Sequence, residues 1–304
     1  MRAIFCNDDL EPRAVDSCFL NEAEAAKSSG LPFELIDFNA ARERNAERVV
    51  RFVAQKQHSE TALYRGWMLT PEEYQCVYGA LQTKSVRLIN SPDEYVHCHW
   101  FPNSYPLIKD CTPFSVCIPT ENGLIGVESV MNALKPFGAS PVIVKDYVKS
   151  RKHEWFDACF IPNASDEAHV RRVVERFIEL QGEDLQGGLV FREFVEFEPI
   201  GTHSKSGMPL TLEYRLFVHE GTVVATYPYW NAEYPAGPPP IDQFAEALKS
   251  IKSHFFSCDI AKTTRGRWLI VELGDGQVAG LPERCDVAEF YTTLSRVLQA
   301  ETLP

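Results

Sequence analysis

Several common functional motifs are missing from this sequence. It has no Gly-x4-Gly-Lys-[Ser/Thr] phosphate loop and no Rossmann glycine fingerprint, so a nucleotide held in either of these ways is excluded. None of its nine cysteines forms a Cys-x-x-Cys pair, and no histidine-rich stretch has the spacing of a metal site. No apolar run approaches the length of a membrane span. The sequence therefore predicts no membrane partner.

The bulk composition favours a cytoplasmic protein of two or three lobes. A chain of 304 residues, 45% of them hydrophobic, can bury a large core. The net charge of −12 argues against general nucleic-acid binding, although a local basic groove stays open. The first nine residues lack the long apolar region of a signal peptide and are typical of a first strand. Without secretion the thiols are expected to stay reduced.

The first part of the chain, residues 1 to 115, alternates strand and helix patterns. Two helix starts are clear, because TPEE at 70–73 and SPDE at 91–94 are both capping boxes with proline at the first helical position. Alternation of this kind implies a parallel or mostly parallel sheet with helices on its faces. The apolar strands are predicted near residues 3–6, 33–36, 62–67 and 86–89.

The second part, residues 116 to 304, has an α+β pattern with antiparallel strands. We place a small lobe at about 119–200 and a large lobe at about 201–304. The predicted helices cover residues 127–134, 165–180 and 241–253, and the predicted strands cover 141–145, 189–195, 211–218 and 222–229, followed by a final hairpin.

Three acidic residues accompany the final hairpin. Glu272 and Asp275 stand at the exit of an apolar strand, and Asp259 lies one strand earlier. If these strands pair, the three carboxylates converge on one sheet face, and a bound cation is the usual remedy for their repulsion. Oxygen-only clusters favour Mg²⁺, which commonly accompanies phosphate. The alternative is a solvated Glu272 followed by a simple turn.

Basic residues at strand ends point to an anionic ligand. Lys145 ends an apolar strand and Lys149 follows four residues later, so their ammonium groups could neutralise phosphate oxygens above a cleft. The alternative is a solvated basic loop. Arg215 lies mid-strand on the same face as Glu213 and requires an anion, which is either Glu213 itself or a phosphate.

Another apolar strand ends at Arg192 and Glu193. Backbone groups just after such a strand can hydrogen-bond an adenine edge between apolar side chains, and Glu196 or Glu198 could then reach a ribose hydroxyl. The alternative is a surface strand of alternating charge. The HCH run at 97–99 falls on a predicted helix, where neighbouring side chains diverge, so we interpret it as structural.

The succession of a strand lysine, a strand-end Arg-Glu pair, a strand arginine and terminal acids resembles the ATP-grasp superfamily. In that superfamily two α+β lobes with antiparallel sheets clamp ATP behind an α/β N-terminal domain. The resemblance is closest to the bacterial clade marked by paired lysines (the R-two-K clade), and EYRLFV at 213–218 also resembles a eukaryotic assembly chaperone for a translation initiation factor. The resemblance to the bacterial clade is carried by four stretches, YRGWM at 64–68, LINSP at 88–92, VKDYVKS at 144–150 and ELGDGQV at 272–278.

The resemblance implies ATP and Mg²⁺ as cofactors. It assigns Mg²⁺ to Asp259 and Glu272, and because Gly274 occupies the asparagine position of the usual Glu-x-Asn pattern, Asp275 is the candidate third ligand. It assigns the α- and β-phosphates to Lys145, with Lys149 nearby, and the γ-phosphate to Arg215. The residues predicted to bind the cofactor are Lys145, Lys149, Arg192, Glu193, Phe194, Val195, Glu198 and Arg215.

The implied reaction is ATP-dependent ligation of a carboxylate to an amine or thiol through an acyl phosphate, giving ADP and phosphate. Arg215 and Lys149 are the candidate catalytic residues, together with Arg65 as a grip on the acid substrate; a structural salt bridge is the alternative for Arg65. The expected substrates are small-molecule or peptide acids and amines. Two other functions stay open: an ATP-binding assembly factor or chaperone that docks a protein, and a phosphotransferase.

Overall fold

The computed structural model describes residues 1–120, 125–202 and 209–300. These residues form three four-stranded sheets and one two-stranded hairpin. All the cysteines are free. No helix within the described ranges is long and apolar enough to cross a membrane.

The first sheet is parallel, as the alternation of strand and helix patterns predicted. Its strand order is β2-β1-β3-β4, and each neighbouring pair runs in the same direction. Its strands are β1 (Arg2–Cys6), β2 (Phe33–Ile36), β3 (Glu60–Arg65) and β4 (Val86–Leu88).

Helices cover both faces of this sheet, and two of them begin where the capping boxes predicted. Thr70 caps α4 and Ser91 caps α5, each with the reciprocal glutamate bond of a complete capping box. The helices of this part are α1 (Leu20–Ser28), α2 (Phe38–Arg42), α3 (Ala46–Val49), α4 (Pro71–Thr83), α5 (Pro92–His99) and α6 (Phe101–Ile108).

The second sheet is antiparallel, with strand order β5-β8-β6-β7. One face, which includes Val144 and Phe191, packs against α7 and α9, so the alternate residues Lys145 and Arg192 lie on the other face. The elements are β5 (Ser115–Pro119), α7 (Val127–Leu134), β6 (Val142–Asp146), α8 (Trp155–Ala158), β7 (Phe160–Ile161), α9 (Glu167–Gln181) and β8 (Gly188–Glu193).

The third sheet is also antiparallel, with strand order β12-β11-β13-β14. The helix predicted at 241–253 is divided into a 3-10 turn, Ile241–Phe244, and a short α-helix. The elements are the hairpin β9 (Pro199–Thr202) and β10 (Pro209–Thr211), then β11 (Glu213–His219), β12 (Thr222–Pro228), α10 (Ala245–Ser250), β13 (Phe255–Lys262), β14 (Trp268–Asp275) and α11 (Val287–Ala300).

The first and third sheets share a hydrophobic core. Phe5 of β1 lies in one cluster with Phe217 of β11, Phe255 of β13 and Phe290 of α11. Helix α11 also packs against α1, so the C-terminal helix contacts the first part of the chain. The predicted boundary between residues 115 and 116 falls within β5 and stays a proposal.

Candidate functional site

Three of the predicted site residues lie side by side on the third sheet. Arg215 on β11 is opposite Asp259 on β13, and Asp259 is opposite Glu272 on β14. Directly opposed residues share a sheet face. A β-bulge between Asp259 and Ile260 leaves one extra residue on β14, and this insertion brings Glu272 opposite Asp259.

Arg215 is held by several contacts. Its guanidinium donates two hydrogen bonds to Asp259, of 2.8 and 2.7 Å, and a third of 2.9 Å to the Gly280 carbonyl. The Tyr229 ring lies 4.8 Å from the guanidinium carbon. Burial alone would lower the pKa of Arg215, but the attraction of Asp259 outweighs it and raises that pKa. Arg215 therefore stays charged at the edge of the site.

Lys145 brings the second sheet to the same acids. The residue is 7% exposed, and Nζ donates to Glu272 Oε1 and to the Val148 carbonyl, both at 3.2 Å. Burial raises the pKa of Glu272, but Lys145 and other cations outweigh this effect, so the pKa is lowered overall. The two antiparallel sheets therefore meet at a charged cleft, where Glu272 is ionised.

Lys152 belongs to this cleft and was missed as a site residue. The residue lies in the 3-10 turn after the Lys145 loop and is accessible to solvent, although protein atoms surround its ammonium group. Desolvation lowers its pKa, but attraction to Glu213 and Glu272 outweighs this and raises the pKa. The basic run at 149–153 was the available sequence signal.

Glu213 was considered only as a partner for Arg215, but it is a buried acid of the same cleft. Burial raises its pKa to about 7, against the attraction of Lys152. Its carboxylate accepts a hydrogen bond of 3.0 Å from the Thr211 hydroxyl. The cleft therefore holds a third carboxyl group besides the Asp259–Glu272 pair.

The loop that carries Lys149 is a tight turn organised by Asp146. The Asp146 carboxylate accepts hydrogen bonds from the backbone N–H groups of Val148 and Lys149 and from Gln181 Nε2. Lys145 and Ser150 form a β-bridge across the base of this turn. Lys149 is consequently presented on the turn with an exposed side chain.

The guanidinium of Arg192 is used in contacts within the protein, which argues against its predicted place among the cofactor-binding residues. The side chain is buried and donates to the carbonyls of Ile270 and Val271 and to the Thr112 hydroxyl. Desolvation lowers its pKa to about 10. The guanidinium thus ties β8 to β14, because it satisfies backbone carbonyls of the third sheet.

The segment after β8 lies beside an aromatic cluster. Phe194 packs edge-on against Phe160 at 5.0 Å and lies 5.9 Å from Trp155, whose ring stacks on Phe160 at 5.3 Å. Phe160 is opposite Ile143 in the β6–β7 pairing, so it lies on the sheet face that carries Lys145. These half-buried rings form an apolar surface suited to a flat heterocycle.

The other predicted residues of this segment differ in their exposure. Glu193 is exposed and Val195 is half-buried. Glu198 is half-exposed and forms an ion pair of 2.8 Å with Lys262 of β13. The adenine contacts at Glu193, Phe194 and Val195 and the ribose contact at Glu198 stay predictions.

Arg65 lies in the core, which corrects its predicted role as a substrate grip. It is 1% exposed and forms a bidentate ion pair with Glu22, at 2.9 and 3.1 Å. The remaining nitrogen donates to the carbonyls of Gly276 and Ala279. The structural salt bridge, which the sequence left as the alternative, is the arrangement found.

Asp275 lies on the opposite face of β14 from Glu272, which corrects its predicted role as third metal ligand. It is opposite Phe256, is fully buried, and accepts hydrogen bonds from Asn90 Nδ2 at 2.5 Å and from the Gln277 N–H at 2.9 Å. Burial raises its pKa to about 7. Within the described ranges no group of three or more His, Cys, Asp or Glu residues could hold a metal ion.

Comparison with known proteins agrees with this geometry. Residues 136–294, slightly more than half of the chain, match the family model of the ATP-grasp domain of R2K clade family 3. No curated protein matches the chain.

Among solved structures, the chain is similar to a RimK domain protein ATP-grasp from Sphaerobacter thermophilus, with a TM-score of 0.60, 13% identity, and coverage of 97% of this chain and 98% of the other. It is equally similar to a D-alanine–D-alanine ligase from Bacillus anthracis complexed with ATP, with a TM-score of 0.60, 14% identity and coverage of 99% and 95%. The chain is also similar to the ATP-grasp ligase PsnB complexed with minimal precursor, Mg and ADP. The TM-score is 0.55, the identity is 13%, and the match covers 99% of this chain and 98% of the other. These likenesses show the ATP-grasp fold, and with the family match they show that the chain belongs to the ATP-grasp family, in R2K clade family 3.

Proposed function

We propose that this protein is an ATP-dependent carboxylate–amine ligase that activates its acid substrate as an acyl phosphate and releases ADP and phosphate. The observation that carries the proposal is the contact between Lys145 of the second sheet and Glu272 of the third, beside the Arg215–Asp259 pair. Cations and acids from two sheets are thereby collected in one cleft. Similar proteins include a D-alanine–D-alanine ligase complexed with ATP.

The cleft has the parts that ATP requires. The aromatic cluster of Trp155, Phe160 and Phe194 offers an apolar surface for adenine, next to the backbone that follows β8. Lys145 shares a sheet face with Phe160. ATP whose adenine packs against these rings would therefore extend its phosphates towards the charged end of the cleft. There Lys145, Lys152 and Arg215 supply positive charge, with Lys149 on the adjoining turn.

The paired carboxylates fit a magnesium ion. Asp259 and Glu272 are adjacent on one sheet face and offer the hard oxygen donors that Mg²⁺ prefers. Glu272 is the more exposed of the two, so it is the more accessible ligand. Bound Mg²⁺ would neutralise phosphate charge. The remaining ligands would come from phosphate oxygens and water, because Gly274 has no side chain to offer.

The chain's own contribution to the reaction is alignment and charge stabilisation. A carboxylate is a poor electrophile, so its oxygen first attacks the γ-phosphorus and ADP leaves; an amine or thiol then attacks the acyl carbon and phosphate leaves. Lys145, Lys152 and Arg215 stabilise the negative charge that develops on the transferring phosphoryl group. Since both substrates are held in one cleft, the second step is effectively intramolecular. No protein nucleophile is required.

We infer that the acid and amine are small molecules or peptide ends and that the reaction takes place in the cytoplasm. The free cysteines are consistent with a reducing compartment. The ATP-grasp ligase PsnB, whose fold is similar, has been solved in complex with a precursor peptide, which supports a peptide as one class of substrate.

Product analysis tests the proposal. Purified protein with Mg-ATP and a library of acids and amines should release ADP and phosphate only when a matching pair is present, and a new amide should appear in the mass spectrum. Release of AMP would contradict the acyl-phosphate route. A stable phosphorylated product would indicate a phosphotransferase, and a stoichiometric protein partner without turnover would indicate an assembly factor.

A further inference from the structure

One buried glutamine holds both ends of the turn that follows β6. Gln181 is the last residue of α9 and is 6% exposed. Its Nε2 donates to Asp146 Oδ2 at 2.6 Å, where the turn begins, and its Oε1 accepts from Arg151 Nε at 2.6 Å, just after the turn ends. The proposed reaction gives Gln181 no role.

The partners of Gln181 require an amide at this position. A carboxylate only accepts hydrogen bonds and a guanidinium only donates them, so the group between Asp146 and Arg151 has to do both. An amide does so without adding a charge to a buried position. Glutamate, which has the same size, would leave Asp146 without this donor.

Asp146 connects Gln181 to the two lysines of the proposed nucleotide site. Its second oxygen, Oδ1, accepts from the backbone N–H groups of Val148 and Lys149, at 2.6 and 2.5 Å. The Val148 carbonyl in turn accepts from Lys145 Nζ at 3.2 Å. Asp146 is fully buried, and hydrogen bonds are stronger there than in water. Short polar contacts therefore join the Gln181 amide to both lysines.

The hydrophobic core of the second sheet anchors the helix that carries Gln181. Arg151 also donates to the Leu180 carbonyl of this helix. The turn is thus fixed to α9 as well as to its own backbone. The residues that α9 buries in this core are Val170, Val173, Val174 and Phe177.

We propose that Gln181 is a positioning residue for nucleotide binding, because its amide fixes the turn that holds Lys145 and Lys149 towards the phosphates. This inference rests on the proposed function, since it takes both lysines to bind phosphate. A turn that is ordered before binding reduces the conformational entropy lost when the nucleotide binds. Without the amide the turn has more conformations available, and the affinity for nucleotide falls.

Exchange of the polar groups at positions 146 and 181 tests this role. Gln181→Glu removes the donor and places two carboxylates against each other. In the double variant D146N/Q181E the new asparagine can donate to the new glutamate, which still accepts from Arg151. The asparagine oxygen still accepts from the N–H groups of the turn.

Calorimetric titration with a non-hydrolysable ATP analogue and Mg²⁺ is the measurement. We expect about tenfold weaker binding for Q181E, the range of one hydrogen bond to a charged group. The double variant should bind within about threefold of wild type, because changes at two residues in contact are not additive. Wild-type affinity in Q181E would overturn the inference, and so would a double variant that binds as weakly as Q181E.

Amide hydrogen exchange in the ligand-free protein shows whether the turn itself changes. The N–H groups of Val148 and Lys149 are bonded to Asp146 in the wild type, so both should exchange faster in Q181E. The double variant should restore the wild-type rates. Unchanged exchange in Q181E would contradict a positioning role.

Val173→Ala is the control for a general loss of stability. Val173 lies on the same helix but is fully buried in the core, against the sheet face that does not carry Lys145. V173A should lower the unfolding temperature and still bind the analogue within about twofold of wild type. If V173A lost affinity as Q181E does, lower stability would explain both, and the role of Gln181 would be overturned.

The two proposals fail in different ways. A wild-type chain that binds no ATP analogue would overturn the proposed function, and this inference with it. Equally tight binding by wild type and Q181E would overturn the role of Gln181 and leave the ligase proposal standing.

Discussion

Two strand arginines, the buried Arg65 and the half-buried Arg215, show how the same residue type takes different positions. Both form bidentate ion pairs with an acid. Arg65 donates its other hydrogen bonds to backbone carbonyls in the core. Arg215 lies at the cleft instead, because its partner Asp259 is opposite Glu272. Spacing along a strand does not distinguish these cases, because the difference depends on which distant backbone covers each guanidinium.

Replacing Arg65 by methionine should destabilise the fold and leave the nucleotide site intact. The change leaves Glu22 partly buried without its cation, and breaking a buried pair in this way costs about 3–5 kcal/mol. Urea denaturation measures the loss, and nucleotide titration below the transition should give wild-type affinity. If R65M were as stable as wild type and instead failed to saturate with the acid substrate, the result would support the predicted role of Arg65 in binding that substrate.

Replacing Lys145 by alanine should weaken binding of the ATP analogue by roughly 1.5–3 kcal/mol, typical of a charged hydrogen bond. The ammonium donates to Val148, in the loop after β6, and to Glu272 of the third sheet. Calorimetric titration is the measurement, and Lys249→Ala, at an exposed lysine on α10, is the control. Wild-type affinity in K145A would remove this residue from the site.

At the scale of the elements, the acid pair depends on a bulge that the sequence pattern does not reveal. Lys262 is opposite Trp268, and strict alternation from there would place Glu272 opposite Cys258, on the other face from Asp259. The extra residue on β14 restores the shared face for Glu272. Asp275 falls on the opposite face. Two of the three acids therefore converge as predicted, and the third could not be excluded without the register.

Most strands and the two capped helices were predicted from alternation and capping, which are local. The structure places β2 and α7 at the predicted residues, 33–36 and 127–134. The short edge strand β7 has two residues, too few for any periodicity, and was missed. The place of Lys152 in the cleft was missed for another reason. The acids that attract it, Glu213 and Glu272, lie on β11 and β14 of the third sheet, far from it in the sequence.

Replacing Gly188 by alanine should disrupt the second sheet. A Cβ there would lie 2.1 Å from the Ile118 carbonyl oxygen and 2.8 Å from Pro119 Cα, which are backbone atoms of the paired strand β5. We expect a loss of about 3 kcal/mol or more in unfolding free energy, in the upper range of single substitutions. Urea denaturation measures it. Gly79→Ala is the matched control: it lies within α4 with nothing within 4 Å of the new Cβ, and should stabilise by up to about 1 kcal/mol.

At the scale of the whole molecule, the order of the lysine, arginine and acid residues predicted the family, and the family match confirmed it. The side-chain assignments were less predictable, because the contacts that decide them join distant parts of the chain. Lys145 and Glu272 are 127 residues apart, and Asn90 and Asp275 are 185 apart. The second of these contacts links the first sheet's final loop to β14, so it joins the first part of the chain to the large lobe.

Asp275 should make this junction sensitive to pH. Burial raises its pKa from 3.8 to about 7, so the folded chain binds this proton more tightly than the unfolded chain. The stability from the protonated carboxyl is complete below about pH 4, falls as the pH rises towards 7, and is then constant. Asp275→Asn removes the titration. The difference in unfolding free energy between wild type and D275N should therefore decrease by up to about 1.4 kcal/mol per pH unit between pH 4 and 7. Urea denaturation across this range measures it, with the exposed Asp242→Asn as control. A constant difference would mean that Asp275 is ionised in the folded chain throughout, with Asn90 and Gln277 sufficient to hold its charge.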